Sequence, residues 1–568
     1  MPQSKLNTSS SLRSDRQTPA TEMPRPVLME ALRRRSMLKF MFGGAGLLAW
    51  PHSPAFAQSK EKIFRIAMSL SDIPVTRGQA DGGAAGSRFI NRSIYDALLT
   101  WDLSQGDRPS NLKPNLAVSW SVDPANQNIW TFKLRRGVKF HDGSLFTAQD
   151  VVWNFEKLKN PKAPQYDPLQ VRNGANWLAS MKSYRAVDDY TVEITTKSPT
   201  ATLLYALSNI FYSSPRQWEK LGRDWQKFAF QPSGTGPWKL VKLVPRNRAE
   251  LVGNPDHWNK QQVPRHDRMI LRPMSDANTR VAALLSGQVD MVEALPPDAV
   301  PKVKSSGMQV TTNVYPHIWP YMVSHLPDSP FSDIRIRKAA NLAIDRDSLV
   351  KLLGGLAVPA KGMVTPDHPW FGKPAFDIKY DPDAARKLMA EAGYGPKNPV
   401  KVKFAITSAG SGQMQPLPMN EFLQENFRDI GIDVSLETVD WEAIRSKRFA
   451  GAHGAINKGI HGINYSWSIQ YPIFGLIGQT YHGKNRVRGY NWGGFADPQA
   501  DALAAKAVRS FDTDKLNRAL GNLHSYLVEQ AMWIWVVHDK NPHGLSSRVK
   551  GFKQAQSWFQ DFTQVRIE

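Results

Sequence analysis

The feature that most constrains the fold of this chain is the set of helix-capping residues, prolines and glycines that separate helix-like from strand-like segments after about residue 60. In one segment Asp381 can cap a helix whose first turn holds Pro382, where the missing N–H costs nothing, and Gly393 can end that helix in the left-handed conformation. Met419–Asp429 repeats this design, and alternating apolar residues follow Gly431 directly, as in a strand that leaves a helix. Such helix–glycine–strand units, without a long linker or an internal repeat, predict an α/β fold with mixed sheets.

The composition excludes several classes of protein. The 568 residues include no cysteine, so a disulfide scaffold, a thiolate zinc site, a cysteine nucleophile and a lipoprotein anchor are all ruled out. Lysine and arginine number 72 against 50 acidic residues, a net charge of +22, but the basic residues are dispersed in short runs such as Arg335–Lys338. A dispersed charge predicts a solvated basic surface rather than a nucleic-acid groove, and attraction to an anionic membrane surface, acidic ligand or acidic partner.

The N-terminal region has the pattern of an export signal. Twin arginines open the segment Arg34–Lys39, a short apolar run follows in Met41–Trp50, and Ala55–Ala57 offers a small-residue cleavage site. The apolar run is too short to span a bilayer. We therefore expect residues 1–57 to be a twin-arginine signal peptide, removed near Ala57 after export of the protein to the periplasm. The alternative, an organelle-targeting presequence, is disfavoured by the pair Gly43–Gly44 and by the cleavage-like box.

Ten local signatures occur in a fixed order over roughly residues 63–565. They are Trp120–Asp123, Trp130–Arg135, Gly137–Gly143, Thr147–Val151, Gly234–Trp238, Asn254–Trp258, Ser286–Asp290, Pro330–Ala339, Ala343–Arg346 and Tyr380–Tyr394. Each signature alone is weak. Their order and spacing together resemble the family 5 solute-binding proteins of bacterial ABC importers, which are the dipeptide-, oligopeptide- and nickel-binding type.

Taken residue by residue, these signatures predict structure rather than chemistry. Gly234–Pro237 lacks the Gly-Lys-Ser/Thr of a phosphate loop, and its proline removes an N–H that a phosphate cradle would use, so we expect a tight crossing between lobes. His141 precedes the turn Asp142–Gly143 and is expected to pack rather than to bind metal. Thr147–Asp150 has the spacing of a capping box, and Arg335–Lys338 is expected to form a charged helix face.

The resemblance implies an α/β, class C periplasmic-binding-protein fold, in which two lobes with mixed sheets surround a hinged cleft and an extra domain is inserted in the first lobe. Mapped by motif, the first lobe takes residues 60–93, 227–308 and 531–568, the inserted domain 94–226 and the second lobe 309–530. It implies a monomer without catalytic residues, metal or cofactor. Such a protein captures a peptide or peptide-sized solute by lobe closure and delivers it to the permease subunits at the inner membrane.

The loops that would line the cleft differ from those of peptide binders in this family, where an aspartate of the second lobe holds the ligand's ammonium group and an arginine holds its carboxylate. The matching loop Tyr465–Pro472 keeps Trp467 but has Gln470 and Tyr471 at the acidic positions, and Thr407–Met414 has no basic residue. Because a buried charge needs a partner, we expect zwitterionic dipeptides to bind poorly. A sugar, an aromatic compound or a modified peptide, held by stacking and neutral hydrogen bonds, suits these loops better.

Eight residues are the candidate ligand contacts. Trp467 is expected to present a ring face to the ligand, and Arg88, in the glycine-rich segment after the first strand, is the nearest cation. The full set is Trp467, Tyr465, Gln470 and Tyr471 from one loop, Gln413 and Ser408 from the glycine-rich loop, Trp319 from the start of the second lobe, and Arg88.

Three other functions remain open at this stage. A nickel or metal-chelate carrier shares the fold, but the 13 histidines include no His-x-x-x-His pair. A secreted hydrolase is disfavoured because the sequence has neither a Gly-x-Ser-x-Gly elbow nor a His-Glu-x-x-His zinc helix. A periplasmic chaperone would use the same wide cleft without saturable binding of one small ligand.

Overall fold

Two mixed seven-stranded sheets form the centres of two lobes in the computed structural model. The structure describes residues 61–74, 76–79, 87–408, 410, 412–482 and 489–568, and the expected signal peptide, residues 1–57, lies outside these ranges. Within them, no helix has the length and apolar character needed to cross a membrane.

The first sheet surrounds the strand Ile63–Met68, whose alternate residues Phe64 and Ile66 are completely buried. This strand lies parallel to both neighbours, with Phe64 opposite Met269 in one of them. In spatial order the sheet is Gln309–Thr311, His543–Leu545, Met291–Val292, Ile63–Met68, Arg268–Pro273, Arg248–Gly253 and Trp238–Val244.

The second sheet combines three parallel strands with antiparallel ones. Val400–Thr407 lies parallel to Ile432–Val439, with Phe404 opposite Leu436, and also parallel to Gly462–Asn464. In spatial order the sheet is Ala357–Pro359, Ile534–Asp539, His317–Val323, Gly462–Asn464, Val400–Thr407 and Ile432–Val439, with Trp467–Ser468 also paired to His317–Val323.

The inserted domain has a four-stranded antiparallel sheet in the order Ala117–Val122, Ile129–Leu134, Thr191–Thr196 and Met181–Asp188. Its junction with the first lobe is the tight crossing that was predicted between lobes. A Cβ on Gly236 would lie 2.6 Å from the carbonyl oxygen of Ser93, so the chain passes its own backbone there too closely for any side chain. The crossing thus joins the inserted domain to the first lobe, not one lobe to the other.

Helices cover the sheets, and two-stranded ribbons complete the fold. The ribbons pair Leu99–Trp101 with Leu112–Pro114 and Val549–Lys550 with Arg566–Ile567. The α-helices among the described residues are Arg92–Ile94, Ala148–Lys159, Pro168–Gly174, Leu203–Leu207, Pro215–Lys220, Trp225–Phe230, Ala277–Leu285, Val300–Ser305, Ile334–Leu342, Arg346–Leu352, Pro382–Glu391, Pro416–Arg428, Trp441–Ala450, Pro472–Gly475, Pro498–Val508 and Thr513–Glu529.

Two strands lie in a different lobe from the one expected. Gln309–Thr311, expected in the second lobe, pairs with His543–Leu545 of the first sheet. Ile534–Asp539, expected in the first lobe, pairs with His317–Val323 of the second sheet. The chain therefore crosses between the lobes at residues 312–316 and 540–542, where the Tyr315 N–H donates to the Asp539 carbonyl at 2.9 Å. The two crossings are hydrogen-bonded to each other and form the connection between the lobes.

The helix ends predicted from capping residues and glycines are found at several places in the structure. Asp381 caps the helix Pro382–Glu391 by accepting from the Ala384 N–H at 3.0 Å, and Gly393 has a φ of 88°. The second predicted helix begins at Pro416 rather than at Met419. Arg337 departs from the prediction of a charged face: it is buried and donates to four backbone carbonyls, including that of Phe331 at 2.7 Å.

The capping box at the start of helix Ala148–Lys159 gives a measurable prediction. The Asp150 carboxylate accepts from the Thr147 N–H at 2.7 Å and from its hydroxyl at 3.0 Å. Because Thr147→Ala removes the hydroxyl, we expect it to lower the free energy of unfolding by about 1 kcal/mol in urea denaturation. Gln149→Ala, at an exposed position of the same turn, is the control and should remain within about 0.5 kcal/mol of the wild type. Equal effects of the two changes would contradict the role of the cap.

Candidate functional site

The ends of the parallel strands in each sheet lie close to the connection between the lobes. In the first sheet, Ser69 and Glu293 each follow a parallel strand, and the Ser69 hydroxyl donates to the Glu293 carboxylate. In the second sheet, Ser408 and Tyr465 follow two parallel strands, and His317 begins their antiparallel neighbour at the same edge. Ligands of α/β sheets bind outside the carboxyl ends of the strands. These two edges therefore define the candidate site.

Arg88 lies at the first-lobe side of this site and is only 3% exposed. Its guanidinium forms an ion pair with Glu293 and donates to the Tyr315 hydroxyl at 3.3 Å. The guanidinium carbon also lies 5.4 Å from the ring centroid of Trp558. The positive charge of Arg88 is thus compensated within the protein by the carboxylate of Glu293.

Trp558, from the C-terminal segment of the first lobe, covers the connection between the lobes. Its ring stacks on Tyr315 with centroids 5.0 Å apart and approaches the ring of His317 to 3.8 Å. Nδ1 of His317 and the Ser466 hydroxyl share a hydrogen bond of 2.8 Å. Burial, together with the positive charge of Arg88, lowers the pKa of His317 well below its usual range, so this ring is neutral. The site therefore has an uncharged aromatic wall.

A glycine in the loop 407–414 permits this arrangement. Gly412 has a φ of 72°, and a Cβ there would lie 2.5 Å from the Ser466 hydroxyl oxygen. The next residue, Gln413, is 1% exposed and accepts a hydrogen bond of 2.7 Å from the Trp319 indole N–H. The amide nitrogen of Gln413 has no hydrogen-bond partner among the described residues, so its two N–H donors are unpaired at this edge.

The second-lobe loop 465–471 reaches across to the other parts of the molecule. The Gln470 amide donates to the Ser557 hydroxyl at 3.0 Å, and its oxygen accepts from the Trp558 backbone N–H at 2.7 Å. The Tyr471 hydroxyl donates to the Asn209 side-chain oxygen at 2.8 Å in the inserted domain. Gln470 and Tyr471 therefore link the second lobe to the first lobe and to the inserted domain.

The remaining predicted residues lie behind this loop or outside it. Trp467 is 5% exposed, packs edge-on against Trp533, and donates from its indole to the Phe474 carbonyl at 2.9 Å. Tyr465 stacks on Trp441 with ring centroids 5.1 Å apart. Ser408 is exposed, and Trp319 is fully buried in the second-lobe core.

Aromatic side chains from both lobes and the inserted domain meet at the centre of the site. This interlobe aromatic cluster is buried and consists of Trp101, Tyr315, Tyr471, Trp558 and Phe559. Only Tyr471 was chosen from the sequence. The others come from segments separated by hundreds of residues, and the single local signal for them was the aromatic run Trp558–Phe559 in a polar C-terminal segment.

Several buried polar atoms of the site have no hydrogen-bond partner among the described residues. They include the Nε of Arg88 and the indole nitrogens of Trp101 and Trp558. Unpartnered buried polar atoms are uncommon in folded proteins, and a ligand or water bound between the lobes would satisfy those of this site. Across the described ranges, no three His, Asp or Glu side chains come together as metal ligands.

Two further cavities each lie within one part of the molecule and contain none of the predicted contacts. One, of about 280 Å³, belongs to the second lobe and is lined by residues such as Asp328, His453 and His461. The other, of about 530 Å³, lies on the inserted domain beside Arg136 and Tyr190. Neither cavity touches both lobes.

Two α/β lobes with a buried polar and aromatic site between them are the architecture of a periplasmic binding protein. The fold is similar to that of DppA from Helicobacter pylori in complex with the peptide STSA, with a TM-score of 0.73, 21% identity and coverage of 89% of this chain and 99% of that one. Residues 111–475 match the model of the bacterial extracellular solute-binding proteins, family 5 middle region, and the chain belongs to this family. The predicted resemblance and the predicted fold are confirmed.

Two relatives extend the similarity over nearly the whole chain. Heme-binding protein A of Haemophilus influenzae is 26% identical over 506 residues, 84% of this chain and 87% of its own. Glutathione-binding protein GsiB of Salmonella choleraesuis is 27% identical over 521 residues, 86% of this chain and 94% of its own.

Proposed function

We propose that the protein is the periplasmic subunit of an ABC importer that closes its lobes on a peptide or peptide-sized solute and delivers it to the inner-membrane permease. The observation that carries this proposal is the interlobe aromatic cluster, to which both lobes and the inserted domain contribute. Membership of the solute-binding family and the names of the relatives for glutathione and heme support it. In this proposal the protein is a monomer that binds its solute without catalysis. Residues 1–57 direct it to the twin-arginine machinery for export.

The proposed ligand contacts are those that lie in the site and keep polar atoms or ring faces toward it. Trp467, Tyr465 and Trp319 are proposed to act indirectly, by holding the loops that carry these contacts. Ser408, which is exposed at the end of the strand Val400–Thr407, is proposed to lie at the rim of the site. The direct contacts are Gln470, Tyr471, Gln413 and Arg88 from the sequence prediction, with Tyr315 and Trp558 added.

A thermal-shift screen of the exported protein tests the proposal. The probes are di- and tripeptides, glutathione, heme, sugars, aromatic acids and the nickel–histidine complex. A ligand at a hundredfold excess over its Kd stabilises the folded state by about 2.7 kcal/mol, and we expect saturable, one-to-one binding of a peptide-sized probe. Binding of nickel–histidine or of a sugar alone would favour a metal-chelate or sugar carrier instead. Turnover of a probe would indicate a hydrolase, and unsaturable capture of unfolded protein a chaperone.

Gln470→Ala should shift the protein toward an open arrangement, because its hydrogen bonds to Ser557 and Trp558 cross between the lobes. Each such bond contributes about 0.5–1.5 kcal/mol net, so we expect the apparent Kd for the solute to rise roughly 5- to 50-fold. Small-angle scattering of the unliganded variant should give a larger radius of gyration. Gln479→Ala is the matched control, since Gln479 is also buried but bonds to Phe474 and Asn491 within the second lobe. An identical change of radius in both variants would show that the hydrogen bonds of Gln470 to Ser557 and Trp558 do not hold the lobes together.

A further inference from the structure

Arg92 is a cation of the site that the sequence prediction did not select. It begins the short helix Arg92–Ile94, and its guanidinium carbon lies 3.8 Å from the ring centroid of Phe559 in the interlobe aromatic cluster. Its terminal nitrogens donate to the Thr100 hydroxyl and to the Ser208 carbonyl, both at 3.2 Å. Its Nε is buried without a hydrogen-bond partner among the described residues.

Arg92 differs from Arg88 in having no carboxylate in direct contact among the described residues. Arg88 is paired with Glu293, whereas no described carboxylate lies within ion-pair distance of Arg92. Asp96 attracts the charge of Arg92 from beyond ion-pair distance, and one of its oxygens accepts from the Thr235 hydroxyl and the Trp258 indole, each at 3.0 Å. Burial lowers the pKa of Arg92 from its ordinary value because the charged form loses solvent, yet arginine keeps its proton under physiological conditions.

The position of Arg92 places it where the lobes close. The Tyr471 hydroxyl, which comes from the second-lobe loop, interacts with the Arg92 guanidinium and donates to Asn209. Phe559, against which the guanidinium stacks, comes from the C-terminal segment of the first lobe. A solute enclosed between these groups therefore meets a planar cation that has an unpartnered N–H and an aromatic face beside it.

We propose that Arg92 is the anion-recognition residue of the solute site, so that the solute is a peptide-sized molecule carrying a carboxylate. This inference rests on the proposed function and names the substrate class of that same site. A carboxylate matches the planar fork of a guanidinium with two parallel hydrogen bonds. It also places a negative charge in direct contact with this buried cation, which no described carboxylate does. The inference replaces the neutral solute expected from the two loops alone, because the cation comes from the first lobe.

Pairs of acids and their primary amides test this proposal directly. The probes are glutathione and its glycine amide, the tripeptide Ala-Phe-Gly and its C-terminal amide, and benzoate with benzamide, measured by calorimetry on the exported protein. We expect the acid of at least one pair to bind the wild type at least about tenfold more tightly than its amide. A hydrogen bond between charged groups contributes enough to account for a tenfold to hundredfold difference in Kd.

Arg92→Gln should raise the Kd of that acid at least about tenfold and leave the amide nearly unchanged, with Arg92→Lys in between. Arg135→Gln is the matched control, because Arg135 also stacks on an aromatic ring, that of Trp258 at 4.2 Å, and donates to a backbone carbonyl. The acid–amide comparison on the wild type needs no variant and holds even if Arg92→Gln fails to fold. Equal affinity for acids and amides, or an unchanged Kd in Arg92→Gln, would overturn the inference while the proposed function stands. Saturable binding by none of the probes to folded protein would contradict both.

Discussion

Replacing Glu293 by alanine is expected to lower the free energy of unfolding by about 3–5 kcal/mol, because it leaves the buried cation of Arg88 without its partner. Both side chains are almost fully buried, at 3% and 2% exposure. The Glu293 carboxylate also accepts from the Ser69 hydroxyl, so the substitution removes two interactions of one buried group. Losing one member of a buried ion pair costs far more than the pair itself contributes.

Urea denaturation of Glu293→Ala, of Arg88→Met/Glu293→Leu and of the wild type measures this effect. The double substitution removes both charges and keeps the apolar volume, so most of the lost stability should return. Glu193→Ala is the control for loss of an ion pair at the surface, because its partner Arg185 has a side chain that is 61% exposed, and its effect should be far smaller. A double variant as unstable as Glu293→Ala would show that the loss arises from packing rather than from the unpaired charge.

The Arg88–Glu293 pair also illustrates what local sequence could not supply. Arg88 is predicted as a cation of the site from its place in the glycine-rich segment after the first strand, but its partner, Glu293, lies 205 residues further along the chain. Strand adjacency in a parallel sheet is decided by long-range packing rather than by local periodicity. For the same reason Arg92, which has no carboxylate in direct contact among the described residues, is not predictable from the local sequence.

Features that depend on neighbouring residues were predicted well. The capping box of Thr147 and Asp150 and the cap at Asp381 follow from side chains that reach backbone groups within one turn, and Gly393 takes the left-handed conformation because it has no Cβ. The lobe to which each strand belongs was harder to predict. Ile534–Asp539 and Gln309–Thr311 were assigned to the wrong lobe because their sheet is decided by pairing with distant segments. The prediction for Arg337 was wrong for a related reason, because two of the four carbonyls to which it donates belong to the distant residues 530 and 531.

The candidate contacts also differ in how far they depend on tertiary structure. Gln470 and Tyr471 were expected from one loop and do reach across the site, whereas Trp467 from that loop packs inward against Trp533. Only Trp467–Ser468 of this loop is paired as a strand, whereas Gln470 and Tyr471 follow in an irregular segment before the helix Pro472–Gly475. The direction of Trp467 therefore depends on the pairing of Trp467–Ser468 with His317–Val323, and that pairing is a tertiary property.

Asp539 stands at the point where the chain leaves the second sheet for the first, and it controls how stability there depends on pH. It is 5% exposed and accepts a hydrogen bond of 2.6 Å from the Asn541 backbone N–H. Among the described residues no cation pairs with it, and the neighbouring His538 is neutral because burial lowers its pKa to about 3. Burial therefore raises the pKa of Asp539 to about 7.

Asp539→Asn is consequently expected to be more stable than the wild type above pH 7 and similar to it below pH 4. The unfolded carboxyl has a pKa of about 3.9, and the folded one about 7, so the folded protein holds the proton more tightly. The wild type thus loses stability as the pH rises from about 4 to about 7, by up to roughly 4 kcal/mol for three pKa units. The amide keeps the acceptor for Asn541 without a charge to desolvate.

Urea denaturation of both proteins at pH 4, 6 and 8 measures the difference, with Asp377→Asn, whose side chain is 62% exposed, as the control. A difference between Asp539→Asn and the wild type that does not grow with pH would contradict the assignment, because only a carboxyl held neutral by burial produces that trend.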